Sequence, residues 1–186
     1  MDKILLGQNF FIPMPVVIVG TRVRGKANFM TVGWCARANA NPPMIACGIG
    51  NNHHTSEGIA ETRTFSVNIP SSALLEKTDY CGLVSGRKTD KSGIFDVFYG
   101  SLKTAPMIRE CPVSLECCLL QAVPLPTNTL YIGEIAGAYA DGRVIRDNKP
   151  DFCEIDPLFL TMPDNRYWTL GKYAGDAWSA GKKLMK

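Results

Sequence analysis

The sequence predicts a mainly β fold: an antiparallel barrel, closed or partly closed, with a few short helices. Three observations predict it. About seven apolar runs have strand length and end at Gly, Pro, Asn or Asp. Only Ser56 to Thr62 and the segment from Ser71 or Ser72 to Tyr80 read as helical. The glycines of Gly48-Ile49-Gly50 are followed by Asn51, Asn52 and His53, not by a GxGxxG continuation, and no alternating βαβ pattern surrounds them, which argues against a doubly wound nucleotide fold.

Residues 1–12 form a lead-in that ends at Pro13-Met14-Pro15. Val16-Val17-Ile18-Val19-Gly20-Thr21 is rich enough in β-branched residues to be a strand. Arg22 to Lys26 turns at Gly25. The chain then reaches the stretch on which the rest is organised, Ala27 to Thr55. Its first apolar run, Phe29 to Ala36, alternates small or polar with large residues, as a half-buried strand does. Asn39-Ala40-Asn41-Pro42-Pro43 reads as a loop, because adjacent prolines stop regular hydrogen bonding. The second run, Met44 to Gly50, is compact and contains glycine, the pattern of a strand whose backbone is approached closely.

Beyond the Ser56 to Thr62 helix, Thr64 to Pro70 alternates with Phe65, Val67 and Ile69 on one face. Ser71 or Ser72 caps the second helix. Ser85 to Gly93 is a polar, basic loop. Pro112 to Leu120 and Leu130 to Tyr139 are two more strands, and Asp141-Gly142 turns into Arg143-Val144-Ile145. Pro157 to Leu160 is a last short strand, and Arg166 to Lys172 is an aromatic, basic tail.

At 186 residues, with 46% hydrophobic and 20% charged side chains, residues 1–186 suit a single soluble domain. A net charge of +3 is too mild to indicate nucleic acid, and no apolar run is long enough to cross a bilayer. The N-terminus resembles a signal peptide only superficially: Asp2 offsets Lys3, Pro13 and Pro15 interrupt the apolar run, and no small-x-small site follows. The expectation is a cytoplasmic protein. Seven cysteines without a CxxC exclude the common zinc and iron–sulfur patterns. Most lie in apolar runs, where a free thiol acts as a small hydrophobe and suits a reducing compartment.

The chemistry concentrates at Asn51-Asn52-His53-His54-Thr55. A strand that feeds a polar loop at a helix start leaves backbone N–H groups pointing outward, and such an end favours a phosphate. His53 and His54 are adjacent but have no evident third ligand, so no metal site is expected.

Several motifs, in order, resemble the flavin reductase-like, FMN-binding split-barrel family. They are Pro15 to Thr21, Asn28 to Trp34, Pro42 to Ala46, Phe65 to Pro70, and the loop Cys81 to Arg87 with Asp90-Lys91 after it. The tail Tyr167-Trp168-Thr169-Leu170-Gly171 is similar to the flavoredoxin branch in particular. The resemblance implies a split β-barrel, a homodimer, non-covalent FMN, and electrons drawn from NAD(P)H or a redox protein. It places Asn28, Met30, Thr31, Cys47, Gly48 and Ile49 beside the flavin ring and ribityl chain. His53, His54 and Thr55 fall near the phosphate, and Ser85, Gly86 and Lys91 add contacts. Tyr167 and Trp168 either cover the ring or pack at a dimer seam. Many relatives carry Arg or Lys where this chain has His53 and His54, so phosphate binding becomes pH-sensitive or leans on Lys91.

No catalytic side chain is expected, because a flavin carries the electrons and the protein positions it. The leading expectation is an NAD(P)H:flavin or NAD(P)H:acceptor oxidoreductase. A flavoredoxin-type carrier with a protein donor and a non-catalytic FMN-binding protein are the alternatives. Haem or a deazaflavin is further off, since His53 and His54 sit in a polar loop instead of an apolar pocket.

Overall fold

The computed structural model describes residues 2–185. Met14–Pro15 (β1) precedes a hairpin of Val17–Val23 (β2) and Lys26–Val32 (β3). Its turn residues Arg24 and Gly25 both have positive φ, 49° and 83°, as a type I′ turn requires. Cys35–Asn39 (β4) pairs with Met44–Gly50 (β5). His54–Thr62 (α1) leads into Thr64–Ile69 (β6), and Leu75–Leu83 (α2) follows a 3₁₀ turn. Val97–Phe98 (β7) and Met107–Ile108 (β8) make a small ribbon. Val113–Pro124 (β9) and Asn128–Ala140 (β10) form the longest hairpin. Ile145–Arg146 (β11), Lys149–Pro150 (β12) and Phe152–Ile155 (α3) precede Phe159–Thr161 (β13) and Arg166–Trp168 (β14).

Seven strands make one antiparallel sheet in the order β3-β2-β6-β9-β10-β5-β4. It curls around a core drawn from every one of them, including Val19, Val32, Cys35, Cys47, Phe65, Cys117 and Tyr131. Ile59 of α1 joins that core. The helix sits this close because residue 58 is glycine: a Cβ there would come 2.6 Å from Thr21 Oγ1. A second cluster, built on Ile18, Phe29, Cys81, Phe95 and Ile108, covers the outer face of β2 and β3. Phe29 and Phe65 are fully buried, each worth about 1.5–3 kcal/mol of apolar transfer.

The run Phe29 to Ala36 is not one strand. It breaks at Gly33-Trp34, and its halves lie on opposite edges of the sheet. The sheet curls until those edges face each other, and Gly48 N donating to Trp34 O at 2.8 Å holds the junction. No β3–β4 ladder closes the seam, so the architecture is a split barrel.

Residues 94–111, which carry no strong periodic pattern, cover the outer face of β6 and bury its polar residues. Asn68 Nδ2 donates to Ile18 O at 2.9 Å, and its Oδ1 accepts from Ile108 N at 2.9 Å. Ser66 Oγ donates to Pro106 O. On the neighbouring β9, the buried carboxylate of Glu116 accepts from the N–H groups of Ser101 and Leu102 and the hydroxyls of Ser101 and Tyr139. The tail segment Arg166–Trp168 proves to be a strand, paired with β13.

Candidate functional site

Where the barrel splits, edge strand β3 and the end of β5 at Gly48 and Gly50, which runs past its pairing with β4, leave a slot of about 180 Å³. Its walls are Met30 and Thr31 on β3, Trp34 at the junction, and Gly48 and Gly50 on β5, with His53 at one end. Strand alternation turns Cys47 and Ile49 into the core and leaves Gly48 and Gly50 outward, so backbone instead of side chains lines that wall.

Past His53 the slot meets a nook of about 140 Å³ among His54, Thr55, Ser85, Gly86 and Lys91. Thr55 lies in the first turn of α1, where backbone N–H groups lack helical partners. Its hydroxyl accepts from Asn28 Nδ2 at 3.0 Å. Gly86 presses on the opposite side, where a Cβ would lie 2.9 Å from His54 Cδ2 and collide with Asn28 Oδ1.

Lys91 is 4% exposed. Its Nζ donates to Cys81 O at 3.2 Å and Val84 O at 3.0 Å, at the C-terminal end of α2, where a cation also complements the helix dipole. Among the described residues no carboxylate pairs with it. An ammonium has three donors, so one remains for the cavities that Lys91 lines. Burial lowers the Lys91 pKa, partly countered by Cys81. Desolvation of the His53 ring, then the Lys91 charge, lowers the His53 pKa from 6.5.

The nook opens into an outer cavity of about 570 Å³. Five cationic side chains line it, Arg24, Lys26, Arg87, Lys88 and Lys91, against the carboxylates of Glu57 and Asp90. The loop carrying Gly86 is tied at both ends, by Arg87 to Glu57 at 2.6 Å and by Asp90 to Lys26 at 2.8 Å. His54 Nδ1 lies 3.1 Å from Glu57 Oε2 without hydrogen-bond alignment. On the far side of Trp34 runs an apolar groove of about 750 Å³, bordered by Phe10, Phe11, Cys35 and Leu125.

The structure thus gathers Asn28, Met30, His53, His54, Thr55, Ser85, Gly86 and Lys91 around joined cavities, with Gly48 on the slot wall. Cys47 and Ile49, expected beside the ring, line none of these cavities: strand alternation turns both side chains into the core, where they are fully buried. Thr31 lines the slot, but its hydroxyl donates to Thr78 O of α2. Trp168 stands apart: it lines none of these cavities, and its indole N–H donates to Thr161 Oγ1 at 2.9 Å on the neighbouring strand. Sequence reasoning missed Trp34, Gly50, Arg24, Lys26, Glu57 and Arg87. An aromatic residue after a glycine at the end of an apolar run was the available signal for Trp34.

A family model described as "Flavin reductase like domain" matches residues 9–159. The structure of a flavoredoxin from Methanosarcina acetivorans is similar, with 55% identity, coverage of 100% of both chains and a TM-score of 0.97. A flavoredoxin of Desulfovibrio vulgaris (Miyazaki F) is 31% identical, with 97% of this chain and 100% of that one covered and a TM-score of 0.90. An uncharacterised protein of Archaeoglobus fulgidus is 31% identical over 128 residues, 68% of this chain and 72% of that one. The chain belongs to the flavin reductase-like family, and flavoredoxins are among the members it resembles over its whole length.

Proposed function

We propose that this protein is a cytoplasmic flavoprotein that holds FMN non-covalently, ring in the slot and phosphate in the nook, and moves electrons from NAD(P)H to flavin or another acceptor. One observation carries the reading: Lys91 is a buried cation with two carbonyl partners and no carboxylate, beside the first turn of α1. A buried charge left without a counter-ion is costly, and a phosphate supplies one. Gly48 and Gly50 raise no side chain of their own into the slot, beside the rings of Trp34 and His53, which supports a flat ring lying there. When bound, the flavin accepts a hydride or electrons at its ring and passes them on.

The chain's own residues bind and orient. Lys91 and the α1 N-terminus hold the phosphate, and the Thr55 hydroxyl, already fixed by Asn28, donates to it. β3 is an edge strand, so its unpaired N–H groups are free to stabilise charge at the polar edge of the ring. Met30 and Trp34 supply apolar walls. All seven cysteines are free thiols, which suits a reducing compartment. A two-fold homodimer covers the apolar lead-in and tail, where Leu5 is 96% and Trp178 95% exposed.

The 55% identity to a flavoredoxin favours a second reading, an electron carrier reduced by a redox protein. The absorbance spectrum of the purified protein, followed by anaerobic addition of NADH or NADPH, decides. Flavin bands that bleach with a nicotinamide nucleotide support the oxidoreductase. Bands that bleach only with a reduced electron-transfer protein support the carrier. A protein that takes up no FMN refutes both.

A further inference from the structure

Cys35 on β4 and Cys47 on β5 are register partners. The flanking backbone bond, Gly48 N to Trp34 O at 2.8 Å, marks them as a non-hydrogen-bonded pair. In such pairs facing Cα atoms approach to about 4.5 Å and side chains come closest, inside the ~4.4–6.8 Å that a disulfide spans. Their Sγ atoms are 3.4 Å apart, the one thiol–thiol hydrogen bond among the described residues. Both side chains face the core: Cys47 is fully buried and Cys35 is 9% exposed. Cys35, however, lies on the edge strand and borders the apolar groove beside Trp34.

We propose that Cys35 and Cys47 form a redox-active dithiol that closes to an internal disulfide by exchange with a low-molecular-weight disulfide entering through this groove. Cys35 loses its proton to solvent and attacks one sulfur of the incoming RSSR. The S–S bond breaks, and the leaving thiolate takes up a proton. Cys47 then loses its proton and attacks the Cys35 sulfur of the mixed disulfide, expelling the second thiolate, which is protonated in turn. Two protein thiols are oxidised by two electrons, and RSSR is reduced to two RSH. The order follows from position: Cys35 is on the edge strand and borders the groove, and Cys47 is the more deeply buried of the two. The bond staples β4 to β5 at the residues that adjoin Trp34 and Gly48, two walls of the slot, so the thiol state sets how firmly that wall is held.

The test starts from a Cys118→Ser/Cys153→Ser background, which removes the exposed thiols. The full chain is incubated with oxidised glutathione, alkylated, and mapped without reduction. The expected result is a 35–47 disulfide, a loss of two free thiols per chain, and a Tm raised by about 5 °C or more, all reversed by dithiothreitol. In that background Cys47→Ala stops at one glutathione on Cys35, and Cys35→Ala takes up none. The proposal is overturned if Cys35 and Cys47 stay reduced, if either pairs with Cys117, or if Cys35→Ala still loses two thiols. These readouts do not depend on bound flavin, so they stand or fall apart from the FMN reading.

Discussion

Asn28 donates its side-chain N–H to Thr55 Oγ1 at 3.0 Å across 27 residues of sequence. The bond is buried and joins the middle of β3 to the first turn of α1. Because the Thr55 oxygen already accepts, its proton is directed elsewhere, and an anion in the nook is the natural acceptor. Gly86 rests on the same amide from the loop side. Strand, helix and loop are therefore all positioned against one side chain.

Thr55→Val and Lys91→Met should each weaken FMN by roughly ten- to hundredfold, the value of one charge-assisted hydrogen bond of about 1.5–3 kcal/mol. Riboflavin, which lacks the phosphate, should lose little. Titration of the flavin-free protein with both ligands checks this, and equal losses for the two would remove the phosphate from this nook. Lys91→Met should also lower Tm, because Cys81 O and Val84 O lose their donor.

Gly86→Val should cost FMN affinity of the same order while leaving secondary structure intact. The new side chain meets Asn28 and His54, so the loop must lift away from the nook. Circular dichroism beside a flavin titration measures both. Affinity like that of the unaltered protein would mean the loop does not form part of the site.

FMN binding should take up a proton near neutral pH. His53 is harder to protonate than an ordinary imidazole, through desolvation and the Lys91 charge, and a neighbouring phosphate restores the proton. Uptake on binding means affinity rises as pH falls, by up to about tenfold per unit between the two His53 pKa values. Without ligand the sign for folding is opposite: the unfolded chain protonates first, so stability declines as pH drops below about 6.5. Calorimetry in buffers of different ionisation enthalpy reads the proton directly. His53→Asn should abolish it.

Glu116→Gln should destabilise the fold by about 2–3 kcal/mol, which lowers Tm by roughly 4–12 °C. Burial alone would raise this carboxyl, but bonds from Ser101, Tyr139 and two backbone N–H groups outweigh it and hold the pKa below 4.5. A depressed carboxylate stabilises above its unfolded pKa and loses that contribution as pH falls through the folded value. Thermal melts from pH 7 down to about 3 should therefore show a steeper acid decline for the unaltered protein than for the variant.

A dimer should be seen by light scattering at micromolar concentration. Deleting the tail after Leu170 should shift it toward monomer, since Tyr173 and Trp178 are largely exposed in one copy. A monomeric mass for the full chain would refute the assembly.

The alternation of Thr64 to Ile69 and the punctuation around β2, β9 and β10 were enough to predict an antiparallel barrel, because each strand has a face that must reach the core. Alternation says nothing about which strands are neighbours, and Phe29 to Ala36 shows the cost. Its pattern is continuous across Gly33-Trp34, yet its halves end on opposite edges. The polar residues of β6 look solvent-facing until residues 94–111 fold over them. β14 was hidden for the same reason, since three residues make a strand only beside β13. At the site, loop chemistry pointed to His53 through Thr55 and to Ser85 through Lys91. Arg24, Lys26 and Glu57 of the outer cavity were not legible, because they enter by proximity across the barrel.

The seam between β3 and β4 has a consequence for solubility. An open sheet normally presents its two free edges to opposite sides of a molecule, each a template for pairing with another chain. Here the edges curl toward one opening, and the only covalent link between them at that point is Gly33-Trp34. An occupant of the slot would shield the unpaired N–H and C=O groups of the β3 rim, which lines it. Emptying the slot would uncover that rim, so the supply of such an occupant should also govern how readily these chains stick to one another.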